Sequence, residues 1–329
     1  MVQPSFHQNL QDDQRPYVPK GSHPIETGRY LIATNEIERM YQIISQWIEN
    51  RSPGGIIHGP PRIGKTRAIN YLMHILPTEF GIKMPIFNIC CRSYRLPNES
   101  VFFEDLLRGV GHGIIHTGKA SIKRERLFKF LLQKGITSEQ NRIIFFMDDA
   151  QNLTETHYNW LMDLYNELDD AGISLTVMLV GQEELLHRRL AFSQAKKAQI
   201  IGRFMIHEHK FEGVKTLKDL KVCLACYDTE SEYPENSNWS FTRFFFPDQF
   251  VQGARLEQCA EDLYEVVWRL RKENGLKGSI EIPMQYVTST IQYALRHFGV
   301  NGLHVEWLTQ ANWKEAIEQS GYITAEFYQ

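Results

Sequence analysis

Apolar residues recur along the chain at two spacings, and their alternation predicts the architecture. Ile37, Met40, Tyr41, Ile44, Trp47 and Ile48 repeat at helical spacing behind Thr34, a residue suited to an N-cap. Pro53 and the two glycines after it end that helix. Continuous apolar runs then alternate with helical patterns. Strands are predicted over 55–58, 84–91, 142–148, 174–180 and 203–211. Helices are predicted over about 64–76, 99–110, 122–134, 155–170 and 183–201. Such alternation implies parallel strands with crossover helices. Unbroken apolar strands imply a sheet covered on both faces. Beyond residue 212 helical patterns dominate, over about 214–226, 255–274, 283–298 and 304–319. Between them, residues 228–252 are polar and then aromatic, and read as an inserted hairpin or loop. Residues 1–28 hold Pro4, Pro16, Pro19 and Pro24 with few aliphatics, which predicts a flexible arm. The expected organisation is therefore an arm over 1–28, an α/β domain over 29–212 and a smaller α-rich domain over 213–329.

Composition narrows the class. The 329 residues are 43% apolar and 23% charged, which excludes a collagenous, disordered or disulfide-stapled chain. The formal net charge is −3, so any nucleic-acid contact must come from a local patch. The N-terminus carries no apolar leader, and the longest strongly apolar runs, 143–147 and 173–180, fall far short of a membrane span. With five cysteines, an odd number, these features predict a soluble, reduced, cytoplasmic protein.

The chemistry is concentrated in one motif. Gly59-Pro60-Pro61-Arg62-Ile63-Gly64-Lys65-Thr66 matches G-x-x-x-x-G-K-[ST], follows a predicted strand and opens a predicted helix, and Arg67 behind it is a further nucleotide-binding candidate. Glycines let the backbone approach phosphates and aim successive N–H groups at them. The helix N-terminus adds the positive end of its dipole. Lys65 would place a charge on the β- and γ-phosphates of ATP, and Thr66 would offer its hydroxyl to Mg²⁺. The partner is the strand Ile143-Ile144-Phe145-Phe146-Met147-Asp148, followed by Asp149. Asp148 would coordinate Mg²⁺ and Asp149 would orient or deprotonate the attacking water. Most hydrolases of this kind carry Glu at that second position. Asp is shorter by about one C–C bond, which predicts slow hydrolysis. Gln182, behind the strand 174–180, would sit between the two motifs and touch the γ-phosphate or the water. A simple helix start is the alternative, for which Glu183 and Glu184 are suited. Arg203 is expected to begin a strand, where it could reach a neighbouring subunit's nucleotide and stabilise charge on the transferring phosphate. Arg188 and Arg189 are further candidates, with an ordinary surface role as the alternative.

The order GPPRIGKT, FFMDDAQNL, VMLVGQEELLHRRL and IIGRF resembles the AAA+ ATPases of the TnsC/TniB and ExeA-like group. In that group the second motif continues as D-E-A-Q, here Asp148-Asp149-Ala150-Gln151. The next strand runs into G-[QT]-x-E-L, here Gly181 to Leu185, and the Arg203-Phe204 pair resembles the family's arginine finger. The resemblance covers about residues 25–212. It implies an α/β AAA+ parallel sheet flanked by helices with a smaller α-helical lid domain. It implies ATP-dependent assembly of a ring or filament on double-stranded DNA. It also implies recruitment of transposase subunits and of a TniQ-type target-selection protein, joined in some elements to an RNA-guided CRISPR complex. Two departures stand out: Asp149 replaces the usual Glu, and the α-rich region shows no clear second sensor arginine.

The basic stretch 119–134 holds Lys119, Lys123, Arg124, Arg126, Lys129 and Lys134 against Glu125. Lys119, Lys123 and Arg124 are the candidate contacts to DNA phosphates, with a solvated helix face as the alternative. Residues 148–170 hold seven acids and no Lys or Arg, and read as a solvated acidic helix face or one that meets a basic partner. Cys223 and Cys226 could join His207 and His209 around zinc on paper, but their spacing fits no common site and a core role is expected. Trp239, Phe241, Phe244, Phe245 and Phe246 read either as a contact surface or as core. The competing functions are an ExeA-like assembly ATPase without a DNA role, a P-loop small-molecule kinase, and a nucleotide-holding scaffold. No nuclease or transposase triad of carboxylates is visible, so strand chemistry would belong to a partner.

Overall fold

The computed structural model describes residues 14–328. They form two compact units, one from Glu36 to Phe211 and one built from the segments on either side of it.

The first unit opens with α1 (Asn35–Glu49), whose first turn carries Glu36 and Glu38 where the helix dipole favours acids. Then follow β1 (Gly54–His58), α2 (Lys65–Phe80), β2 (Ile86–Cys90), α3 (Glu99–Gly109) and α4 (Ala120–Thr137). The unit continues with β3 (Arg142–Asp148), α5 (Glu155–Asp170), β4 (Ser174–Gly181), α6 (Glu184–Gln194), α7 (Ala198–Phe204) and β5 (His207–Lys210). The five strands form one sheet in the order β2-β3-β4-β1-β5, and every pair is parallel. Alternate residues of β3 enter different cores. Ile143, Phe145 and Met147 pack on one side of the sheet, and Ile144 and Phe146 on the other. A strand buried on both faces has no polar stripe, so its sequence reads as a continuous apolar run. Each such side chain contributes roughly 1.5–3 kcal/mol of burial.

The order of the strands positions the chemistry. The strand β4 lies between β1 and β3, so the loops leaving all three emerge side by side at their C-terminal ends. Within this unit the elements agree with the sequence pattern except at 183–211. There the single predicted helix is two helices broken at Lys196, whose φ is 56°. At about 100° per residue, a straight helix would place Phe204 roughly 120° from the stripe of Leu185 and Phe192. The break lets all three reach one core. As a consequence Arg203 lies in the last turn of α7 and not at the start of a strand, which begins only at His207.

The second unit contains α8 (Leu217–Ala225), α9 (Phe241–Phe245), α10 (Pro247–Val251), α11 (Ala260–Glu273), α12 (Met284–Phe298), α13 (Gln310–Ser320) and α14 (Tyr322–Glu326). Two expectations are corrected here. Residues 14–28 are not a free arm, while residues 1–13 lie outside the described residues. Ile25, within a short helix Pro24–Thr27, is fully buried in this unit's core. His23 caps that helix by accepting from the Ile25 amide, and its ring lies among those of Tyr233, Phe241, Phe244 and Phe245. Burial pushes its imidazole down to about 4, so it sits there neutral. Residues 228–252 are likewise no hairpin. They form α9 and α10 beside a cis Tyr233–Pro234 bond, and Trp239, Phe241, Phe244, Phe245 and Phe246 are all buried. The aromatic run is core, not a contact surface. Cys223 and Cys226 are buried in the same core, and the Cys226 thiol donates to the Ala33 carbonyl.

Candidate nucleotide site

The loop between β1 and α2 is shaped by backbone conformations that side chains disfavour. Arg62 and Gly64 both have positive φ, 64° and 115°. Gly59 has no room for a side chain, because a Cβ there would lie 2.4 Å from the Phe211 carbonyl oxygen. Ile63 is 1% exposed and anchors the loop in the core. Pro61, Arg62 and Arg67 are exposed, and Pro60 is half-buried.

Lys65, the first residue of α2, reaches back over the loop. Its Nζ donates to the carbonyls of Gly59 at 2.7 Å and Pro60 at 2.8 Å. Desolvation pushes its ammonium down to about 8, while the carboxylates of Asp148, Asp149 and Glu184 act the other way. Thr66 Oγ1 donates to Asp148 Oδ2 at 2.8 Å, which joins the two motifs across the end of β4. Asp148 is 9% exposed. Burial raises its pKa, against the lowering effect of the Thr66 bond.

Asp149 follows in the left-handed region at φ 57°, a conformation that costs an L-residue about 1 kcal/mol. The backbone is held there by its neighbours. Asn152 Nδ2 donates to the Cys91 carbonyl, beyond the end of β2. Arg188 Nη2, from α6, donates to the Gln151 carbonyl. Gln151 Nε2 donates to Asp149 Oδ1 at 3.1 Å, and Gln151 Oε1 accepts from the Gln182 amide at 3.3 Å. Gln182 thus stands beside Asp149 through Gln151. Arg203 stacks its guanidinium over the Tyr165 ring at 5.1 Å.

The structure brings Gly59 to Thr66, Asp148, Asp149 and Gln182 to one end of the sheet. It withdraws part of the cationic stretch 119–134, while Lys119, Lys129 and Lys134 stay exposed. Lys123 is 3% exposed, and its ammonium is bonded to Glu104 and Ser100. Arg124 forms ion pairs with Asp163 at 3.1 Å and Glu167 at 3.2 Å. Of the run on α4, Arg124 reaches the acids of α5, Lys123 reaches Glu104 on α3, and Lys129 pairs with Glu125 of its own helix. Lys123 is corrected from a phosphate contact to a buried ion pair; Arg124 is half-exposed and ion-paired at the surface, and Lys119 is exposed just before α4. Sequence reasoning also passed over Gln151 as more than a family mark. Its distance of two residues from Asp149 was the available signal.

A parallel sheet with a phosphate-type loop after β1 and a carboxylate at the tip of β3, two strands away, defines a P-loop nucleotide-binding fold. Residues 49–189 match the AAA domain family, and the first unit has the P-loop AAA fold. The chain is similar in fold to the ORC2 protein of Aeropyrum pernix in its ADPNP–ADP complexes. The match has a TM-score of 0.55 and 11% identity, and covers 90% of this chain and 71% of that one. The ADP form of the same protein gives a TM-score of 0.54, 13% identity, and coverage of 89% and 71%. No curated protein matches the sequence significantly. Among the described residues no helix is long and apolar enough to cross a membrane.

Proposed function

We propose that this chain is an oligomeric AAA-type ATPase that assembles on double-stranded DNA and links target-site selection to the transposase during DNA transposition. The observation that carries it is the ordered set GPPRIGKT, FFMDDAQNL, GQEELLHRRL and IIGRF. It resembles the TnsC/TniB group and lies on an ATPase frame. The partners are transposase subunits and a TniQ-type protein, with or without an RNA-guided complex, in the cytoplasm.

The loop from Gly59 to Thr66, followed by Arg67, binds the ATP polyphosphate. Lys65 exchanges two loop carbonyls for phosphate oxygens, a stronger acceptor for an ammonium. The Thr66 hydroxyl and Asp148 carboxylate are hard oxygen donors within hydrogen-bonding distance of each other, which suits Mg²⁺. Bound there, Mg²⁺ would neutralise charge on the β- and γ-phosphates. Asp149 accepts a proton from the attacking water or aligns it, with a short reach that makes turnover slow. Gln182 contacts the γ-phosphate side. Arg203, lifted from the core on the last turn of α7, acts on a neighbouring subunit's nucleotide. Lys119 contacts DNA phosphate, repeated once per subunit.

The burial of Lys123 and the pairing of Arg124 with acids favour one second reading, an ExeA-like assembly ATPase without a DNA role. Particle mass in solution separates the two. The first reading expects a ring- or filament-sized species only when ATP and a DNA duplex are both present, and an Arg203→Ala variant that binds ATP but does not assemble. Assembly with ATP alone, indifferent to duplex, would overturn the DNA role in favour of the second. A monomer under every condition would overturn both.

A further inference from the structure

We propose that Gln151 is the positioning residue for Asp149, a strut that fixes the carboxylate against the end of strand β4. This rests on the reading of Asp149 as the group that handles the attacking water. Asp149 is exposed and short, and its backbone sits in the left-handed region. A carboxylate on such a mount turns freely about its side-chain bonds unless something holds it. The Gln151 amide holds it, with Nε2 donating to Oδ1 at 3.1 Å. That leaves Oδ2 for water.

The other end of the strut is equally defined. Gln151 Oε1 accepts the backbone N–H of Gln182 at 3.3 Å. A Cβ on Gly181 would fall 2.3 Å from that same Oε1, so glycine is what leaves space for the amide. The main chain of the strut is fixed as well, because Arg188 donates to its carbonyl at 3.1 Å. Only a side chain with a donor at one atom and an acceptor at another joins a carboxylate to an N–H. Glutamate would keep the acceptor and set a like charge beside Asp149. Asparagine is one methylene too short for both ends. Any movement of the Gln182 backbone is thereby passed to the Asp149 carboxylate through one amide.

The test is a double-mutant cycle on the full chain, assayed with ATP, Mg²⁺ and duplex DNA. Gln151→Ala is expected to lower kcat about tenfold or more, the scale of a misplaced reacting group. KM for ATP and the affinity for ADP should stay within about twofold, since the phosphate loop is untouched. Gln151→Glu should lose as much, although its shape is nearly that of glutamine. In an Asp149→Asn background, Gln151→Ala should change kcat no further, because the strut has nothing left to position. A Gln151→Ala variant with wild-type kcat would overturn the assignment, as would an equal loss in both backgrounds. Wild-type protein that binds ATP without hydrolysing it would instead overturn the role of Asp149 itself, and the strut with it.

Discussion

Two regions of the ATPase unit each draw a lysine in from solvent, and they use it in opposite ways. Lys123 on α4 meets a carboxylate, Glu104, and a hydroxyl, Ser100. Lys65 at the start of α2 bonds to the carbonyls of Gly59 and Pro60, and among the described residues no carboxylate pairs with it directly. The first charge is consumed inside the fold. It lowers the pKa of Glu104, chiefly through the hydrogen bond between them. The second is desolvated, and the carboxylates of Asp148, Asp149 and Glu184 offset this only in part, which leaves its ammonium easier to deprotonate and a strong attractor for an incoming anion. Counting positive residues does not separate these cases. Their acceptors do.

Removing Lys65 gives the largest expected effect. Lys65→Ala should weaken ATP binding about a hundredfold or more, since hydrogen bonds to charged groups are worth roughly 1.5–3 kcal/mol each. Calorimetric titration measures it, and an affinity within about threefold of wild type would refute the phosphate role. Next comes pH. Folded Lys65 loses its proton near pH 8, below the value of an unfolded lysine. Polyphosphate prefers the ammonium, so ATP affinity should fall as pH rises through 8, by up to about tenfold per unit. The linkage to folding has the opposite sense, because stability gains from this group as pH climbs from about 8 toward the unfolded value. Lys65→Ala should flatten the ATP profile, and an equally steep profile in that variant would assign the proton elsewhere.

Lys123 should respond in stability instead. Breaking a buried pair costs about 3–5 kcal/mol, but the Glu104 side chain keeps 20% of its surface in water. We therefore expect Lys123→Met to cost about 2 kcal/mol, or about 5 °C in Tm by calorimetry. The folded pKa of Glu104 is depressed, so this stabilisation is present above the ordinary carboxylate range and is lost as pH falls through the folded value. Wild type and variant should converge in acid. A variant of unchanged stability that loses DNA binding would restore Lys123 as a phosphate contact. Lys119→Glu should have the smallest effect, a few-fold loss of duplex affinity at low salt and a salt slope reduced by about one per subunit. Fluorescence anisotropy against salt concentration measures it, and identical slopes would move the DNA face elsewhere.

Much of the ATPase unit was legible because its signals are local. The phosphate loop is a run of eight residues between a strand and a helix, and β3 announces its burial by an apolar run ending in Asp148. The second unit was harder to read. Ile25 and His23 look like part of a proline-broken tail, and only a pocket formed by Tyr233, Phe241, Phe244 and Phe245 makes them core. The aromatic run of 239–246 was equally open, because an apolar stretch between polar loops has the same composition whether it faces inward or outward.

By itself the sequence determined the alternating α/β order, the phosphate loop and the carboxylate at the tip of β3, since each depends on residues adjacent along the chain. The tertiary structure alone decided the rest. It placed β4 between β1 and β3, which brings Gln182 beside Asp149 through Gln151. It buried Lys123 against Glu104 and paired Arg124 with Asp163 and Glu167. Electrostatic partners are chosen by distance in space, and chain separation carries no record of it.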